Sequence, residues 1–156
     1  MTAPAAWRTL LGDHPSTRAL RQGRVSSPAL RLEFADVAVP NKAFKRVVRD
    51  LEFDVAELAL MTFLMARSRG VPLRMLPVVL FSRNPLRADT VNHVVVVRAS
   101  LAADPGRMAE LLRLFRDGGD ACAGPVRRSL EAAIAAADAQ CLLASPLAVD
   151  DLLVQG

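Results

Sequence analysis

VNHVVVVR, residues 91–98, is the stretch whose reading decides the fold class. Four consecutive valines leave no polar face, so the segment is buried on both sides, as in a central or parallel strand covered by helices. Working back from it, LRMLPVVLF (73–81) is a further strand whose internal Pro77 predicts a sheet edge or a bulge. FDVA (53–56) reads as a brief strand. It leads into a mostly apolar helix over Glu57–Arg69, with Leu60, Phe63, Leu64 and Met65, stopped by Gly70 and Pro72. Pro40-Asn41 opens a helix carrying Phe44, Val47, Val48 and Leu51 at helical spacing. LRLEFADV (30–37) alternates apolar Leu30, Leu32 and Phe34 with Arg31 and Glu33, a half-buried strand. AWRTLLG (6–12) reads as the first strand. A short helix over His14–Gln22 follows, with Asp13 or Ser16 as its cap and Gly23 as its stop.

Beyond Ser100 the pattern becomes helical. Asp104-Pro105 starts a helix with a stripe of Met108, Leu111, Leu112 and Phe115 that ends at Gly118-Gly119. Val126–Leu143 is a second helix, with Leu130, Ala133, Ile134, Ala137 and Cys141 inward, and Leu147–Val154 closes the chain. The expectation is one α/β domain over residues 1–156. Strand–helix alternation over 1–100 builds a mostly parallel sheet flanked by helices, and the C-terminal helices of 101–156 pack on it.

Composition narrows the function classes. With 52% hydrophobic and 23% charged residues the chain is globular and not disordered. Six Phe, one Trp and no Tyr make the core aliphatic and leave no aromatic platform for single-stranded nucleic acid. The net charge of +4 comes from arginines that alternate with acids, so no basic stripe forms and nucleic acid is not the expected partner. Met1–Leu11 lacks the plan of a secretory signal, and the apolar runs are far shorter than a membrane span. Cys122 and Cys141, without CxxC spacing and in Ala-rich surroundings, read as buried free thiols of a cytoplasmic protein. Two distant histidines make no metal motif, and the absence of a Gly-rich phosphate loop points to a cofactor-free site.

In a parallel sheet, ligands bind beyond the carboxyl ends of the strands. That rule selects Asp13 and His14 after the first strand, Glu57 and Thr62 after the third, and Ser82 and Arg83 after the fourth. Histidine titrates in the range useful for proton transfer, which marks His93 as a general acid, against the alternative of a hydrogen-bonded group at the strand end. Glu57, in an apolar entry to its helix, becomes a proton donor if burial raises its pKa; otherwise it serves the free amides of the helix start. Asp13 is either a catalytic acid or a helix cap. Arg18 and Arg83 present the planar fork that clamps a carboxylate, against the alternative of solvated surface charges.

Several segments, taken in order, resemble the 4,5-dihydroxyphthalate decarboxylase family. GDHPSTRALRQGRV (12–25) is similar to its opening motif, and FDVAELALMTFLMARSRG (53–70) to its Phe-Asp-Val-Ser-Glu-Met-Ser run and Ser-Arg-Gly helix end. PVVLFSRNPLR through NHVVVV (77–97) is similar to a Pro-Val-Phe…Ser-Arg segment followed by an Arg-His-Ser strand. GDACAGPVRRSLEAA and LLASPLAVDDLL resemble the family's C-terminal helix and closing segment. The resemblance implies one lobe of a type II periplasmic-binding-protein fold, because the strand ending at Arg98 passes almost directly to the C-terminal helices. It also implies a cofactor-free lyase acting on a carboxylated small molecule, aromatic acids included, in a specialised biosynthetic pathway. In that reading His93, Glu57 and Asp13 are catalytic, and Arg18, Arg83, His14, Thr62 and Ser82 bind substrate. A homodimer covers the cleft to exclude water. Ala56, Ala59 and Asn92 stand where the family has serines and an arginine, which favours the alternative of a binding protein without catalysis.

Overall fold

The computed structural model describes residues 3–80, 93–118 and 126–154. Ser82, Arg83, Asn92 and Cys122 lie outside them. Among the described residues five strands form one sheet: β1 (Ala5–Leu10), β2 (Leu30–Phe34), β3 (Val55–Ala59), β4 (Leu73–Leu80) and β5 (His93–Arg98), in the order β2-β1-β3-β5-β4. The helices are α1 (Arg18–Arg21), α2 (Phe44–Val48) behind a 3-10 turn at Pro40–Ala43, α3 (Leu60–Ser68), α4 (Ala99–Ala102), α5 (Pro105–Asp117), α6 (Val126–Ala139) and α7 (Val149–Leu152). The chain is therefore α/β with helices on both sheet faces.

The sheet is mixed, which corrects the mostly parallel expectation. β1 pairs in parallel with β2 and β3, whereas β5 runs antiparallel to both β3 and β4. The valine run reports burial, and Val94–Val97 are each at most 1% exposed. Burial on two faces carries no information about strand direction, so β5 is central, as read, but not parallel. The reversal has a geometric consequence: the carboxyl ends of β1 to β4 and the amino end of β5 share one rim. In register, His93 at the start of β5 lies between Ala59 and Leu80 at the ends of its two neighbours.

Pro77 fits its reading. β4 is an edge strand and its register shifts between Met75 and Val79, where a missing N–H does least harm. The C-terminal segment protects this edge, with the Val154 N–H donating to the Met75 carbonyl at 2.8 Å. Alternate residues of the strands feed two cores. Leu10, Ala56, Leu58, Val94 and Val96 pack with Val47, Phe63, Leu64, Leu130 and Leu152 on one face. Trp7, Leu11, Val55, Val95 and Val97 pack with Leu20, Met108, Leu111 and Phe115 on the other. Each large side chain so buried contributes about 1.5–3 kcal/mol of transfer free energy.

Several boundaries move. The first helix contracts to α1, with neither Asp13 nor Ser16 capping it; its N-cap is Thr17, without a side-chain capping bond. Leu51 adopts φ 48° and lies outside α2, where the helical spacing had placed it. Cys141, expected inward, is exposed with φ 55°, because α6 has already ended at Ala139. The most consequential shift is at Glu57, which lies inside β3 and not in a helix: the strand extends to Ala59 and α3 begins at Leu60.

Candidate active site

β3 places Glu57 one register step beyond the β1–β3 pairing of Leu10 with Ala56, beside the chain as it leaves β1. Its side chain is 1% exposed. A carboxylate at that depth requires donors, and three meet it. The Gly12 N–H donates to Oε2 at 2.9 Å. The His14 Nε2 lies 3.1 Å from each oxygen, and the His93 Nδ1 lies 2.5 Å from Oε1. The two histidines are the only ones in the chain, 79 positions apart in the numbering, and both close on one carboxylate.

Burial pushes the Glu57 pKa up, but the His93 hydrogen bond, the Gly12 N–H and the charges of His14 and His93 outweigh it. The net direction is downward from 4.5. Glu57 is thus a buried carboxylate and not the proton donor expected from burial alone. Nor does it serve the free amides of a helix start, since its one backbone donor comes from the β1–α1 turn.

That turn is built around Gly12 and Thr17, two residues sequence reasoning left out of the site. Thr17 is fully buried; its Oγ1 donates to the Gly12 carbonyl at 2.5 Å and accepts from the His14 N–H at 3.0 Å. A Cβ on Gly12 would stand 2.6 Å from His14 Nε2 and 3.1 Å from Pro40 Cγ, so only glycine lets the imidazole reach Glu57. Both residues fall inside the quoted 12–25 motif, which was the available signal. Phe44 closes the other side, edge-on to the His93 ring with centroids 6.0 Å apart.

The geometry assigns the imidazole nitrogens. Glu57 holds His93 through Nδ1, which keeps a proton on Nδ1 and leaves Nε2 as the nitrogen that takes up and gives up a proton. It holds His14 through Nε2, leaving Nδ1. The His93 side chain is 27% exposed and that of His14 36%, so both reach solvent while their anchor does not. The arrangement can orient an imidazole and pass a proton at the rim. Among the described residues no group of three or more His, Cys, Asp or Glu is arranged to hold a metal ion.

The remaining candidates divide. Asp13 is turned away from the cluster: its exposed carboxylate accepts from Arg18 Nε at 2.9 Å, and that bond holds its pKa below 3.8. The pairing also engages Arg18, read as a clamp. Thr62 is half-buried in the first turn of α3, three residues past Ala59. Ser82 and Arg83 lie outside the described residues. Of Ala56 and Ala59, Ala56 is buried in the core on the face opposite Glu57, and only Ala59, paired with His93, borders the cluster.

Compared with family models and with curated proteins, the chain matches none.

Proposed function

We propose that this protein is a cofactor-free enzyme in which His93, oriented by Glu57, moves a proton to or from a carboxylated small molecule at the sheet rim. The observation that carries the reading is the convergence of both histidines on one buried carboxylate where the strand ends meet. The resemblance to the dihydroxyphthalate decarboxylases supplies the reaction class. As carbon dioxide leaves, the C–C bond electrons stay on the ring carbon, which takes a proton from His93 Nε2. In the same reading the domain is one lobe of a type II periplasmic-binding-protein fold. The partly exposed imidazoles call for a cover that excludes water, and a second copy of the chain provides it.

Arg83 holds the substrate carboxylate in this proposal. Arg18 remains recruitable, because an exposed pair such as Arg18–Asp13 contributes only about 0–1 kcal/mol, and a substrate carboxylate can replace Asp13 at small cost. The test is incubation with dihydroxyphthalate-type acids and measurement of released carbon dioxide. General acid–base catalysis contributes about 10²–10⁴-fold, so His93→Gln is expected to lose at least the lower figure. Turnover that survives this substitution removes His93 from the mechanism.

A second reading, a binding protein without catalysis, is favoured by Ala59 facing His93 without a hydroxyl and by Arg18 already being paired. It predicts thermal stabilisation by aromatic acids in the absence of any carbon dioxide release.

A further inference from the structure

Behind the β1–α1 turn, on the β2 side, lies a cavity of about 310 Å³, at the lower end of the range for small-ligand sites. Leu20, Leu30 and Leu114 form its buried apolar wall, and Leu32 and Phe34 its half-buried side. Arg21 supplies the charge. Its guanidinium lies over the Phe34 ring, 5.4 Å from the centroid, and donates through Nη1 to the Leu11 carbonyl at 2.5 Å. Among the described residues no carboxylate forms an ion pair with Arg21. The other arginine of the lining, Arg31, is exposed and paired with Glu33.

We infer that this cavity is a second binding site, for a small carboxylate with an apolar body, read by Arg21. The pairing follows from charge and shape together. A guanidinium with five N–H donors uses one on Leu11 and has a fork left for two carboxylate oxygens, while the leucines and Phe34 take the hydrocarbon. The site also connects to Glu57. The Leu11 carbonyl held by Arg21 and the Gly12 N–H that binds Glu57 belong to the same peptide unit. Arg21 polarises that peptide and strengthens the N–H as a donor. A carboxylate that neutralises Arg21 weakens this support, so occupancy of the cavity is felt at the rim.

Sodium octanoate and 1-octanol, which share a hydrocarbon body and differ in charge, serve as probes, with methyl and amide resonances as the readout. Octanoate is expected to move the Leu20, Leu32 and Leu114 methyl signals together with the Gly12 amide, and to bind at least tenfold more tightly than octanol. Arg21→Gln is expected to abolish that preference and to leave the Gly12 amide unmoved by octanoate. Equal affinity of the wild-type protein for the two probes, or octanoate shifts absent from the three leucines, overturns the assignment. The binding readout needs no turnover, so an inert rim and an empty second cavity give different results.

Discussion

Replacing Glu57 with Gln keeps the shape and removes the charge on which the cluster is built. The carboxylate accepts from three donors, and its oxygens are shared so that Oε1 serves His93 and His14 while Oε2 serves Gly12 and His14. A Gln side chain has one accepting oxygen. Its NH₂ must then face either the Gly12 N–H or a histidine, and no partner keeps a hydrogen bond to a charged acceptor. A hydrogen bond to a charged group contributes about 1.5–3 kcal/mol, and E57Q should cost that much near neutral pH. The pH dependence fixes the sign. The folded-state pKa of Glu57 lies below its ordinary value of 4.5, so its stabilisation is fully present above that value. It disappears as pH falls through the lowered, folded-state pKa. Urea unfolding of wild type and E57Q at neutral pH and at several acidic values should show a gap that narrows with acidification. Removing a buried charge can also stabilise a protein, when the cost of burying it exceeds the gain from its partners. An E57Q protein as stable as wild type at neutral pH, or a gap that widens in acid, refutes the claim that the three donors outweigh burial.

Gly12→Ala drives a methyl group into His14 Nε2 and Pro40, and overpacking of this kind costs about 1–3 kcal/mol; unfolding curves should show the loss and the His14 ring resonances should move. Thr17→Val keeps the volume but leaves the Gly12 carbonyl and His14 N–H without their side-chain partner, an expected loss of about 1–3 kcal/mol by chemical denaturation. Asp13→Asn breaks only an exposed pair and should change stability by less than about 1 kcal/mol and leave any turnover intact; a large loss of rate would return Asp13 to the site. Leu58→Ala, at a fully buried position of β3, should cost about 2–5 kcal/mol and lower the melting temperature accordingly.

The layered α/β plan and the place of β5 were legible in the sequence because burial on two faces leaves a valine run, and Pro77 marked the edge it occupies. Strand direction was not, since parallel and antiparallel neighbours bury the same residues. Glu57 and His14 could be selected from strand ends and His93 from its proton chemistry, but their mutual contact depended on β5 running against its neighbours, a long-range fact without a local signature. The helix reading of Glu57 failed for a related reason. Phe53 to Ala66 is apolar almost throughout, so periodicity could not show where the strand yields to the helix. Asp13, chosen from the end of β1, and Arg18, chosen for its guanidinium fork, stand five positions apart and pair with one another, a local contact the sequence did not single out.

Placing Glu57 in the strand changes the chemistry assigned to it. On a helix entry it would face free amides and solvent, and it would titrate as one acid among several. Within β3 it is fixed by backbone pairing on both sides, through the pair of Leu10 with Ala56 and that of Glu57 itself with Val95. Its carboxylate is 1% exposed and bonded to both imidazoles, so in this geometry the rings, not the carboxylate, stand toward the rim. Its role is to hold His14 and His93 at set angles, which leaves proton transfer to the imidazoles. Glu57→Asp separates this positioning role from direct catalysis. The charge remains, but the shorter side chain cannot reach both rings, so the imidazoles should lose their fixed orientation and any rate should fall although a carboxylate is still present. If Glu57→Asp retains full rate, rigid placement of the imidazoles by β3 is not what the site depends on.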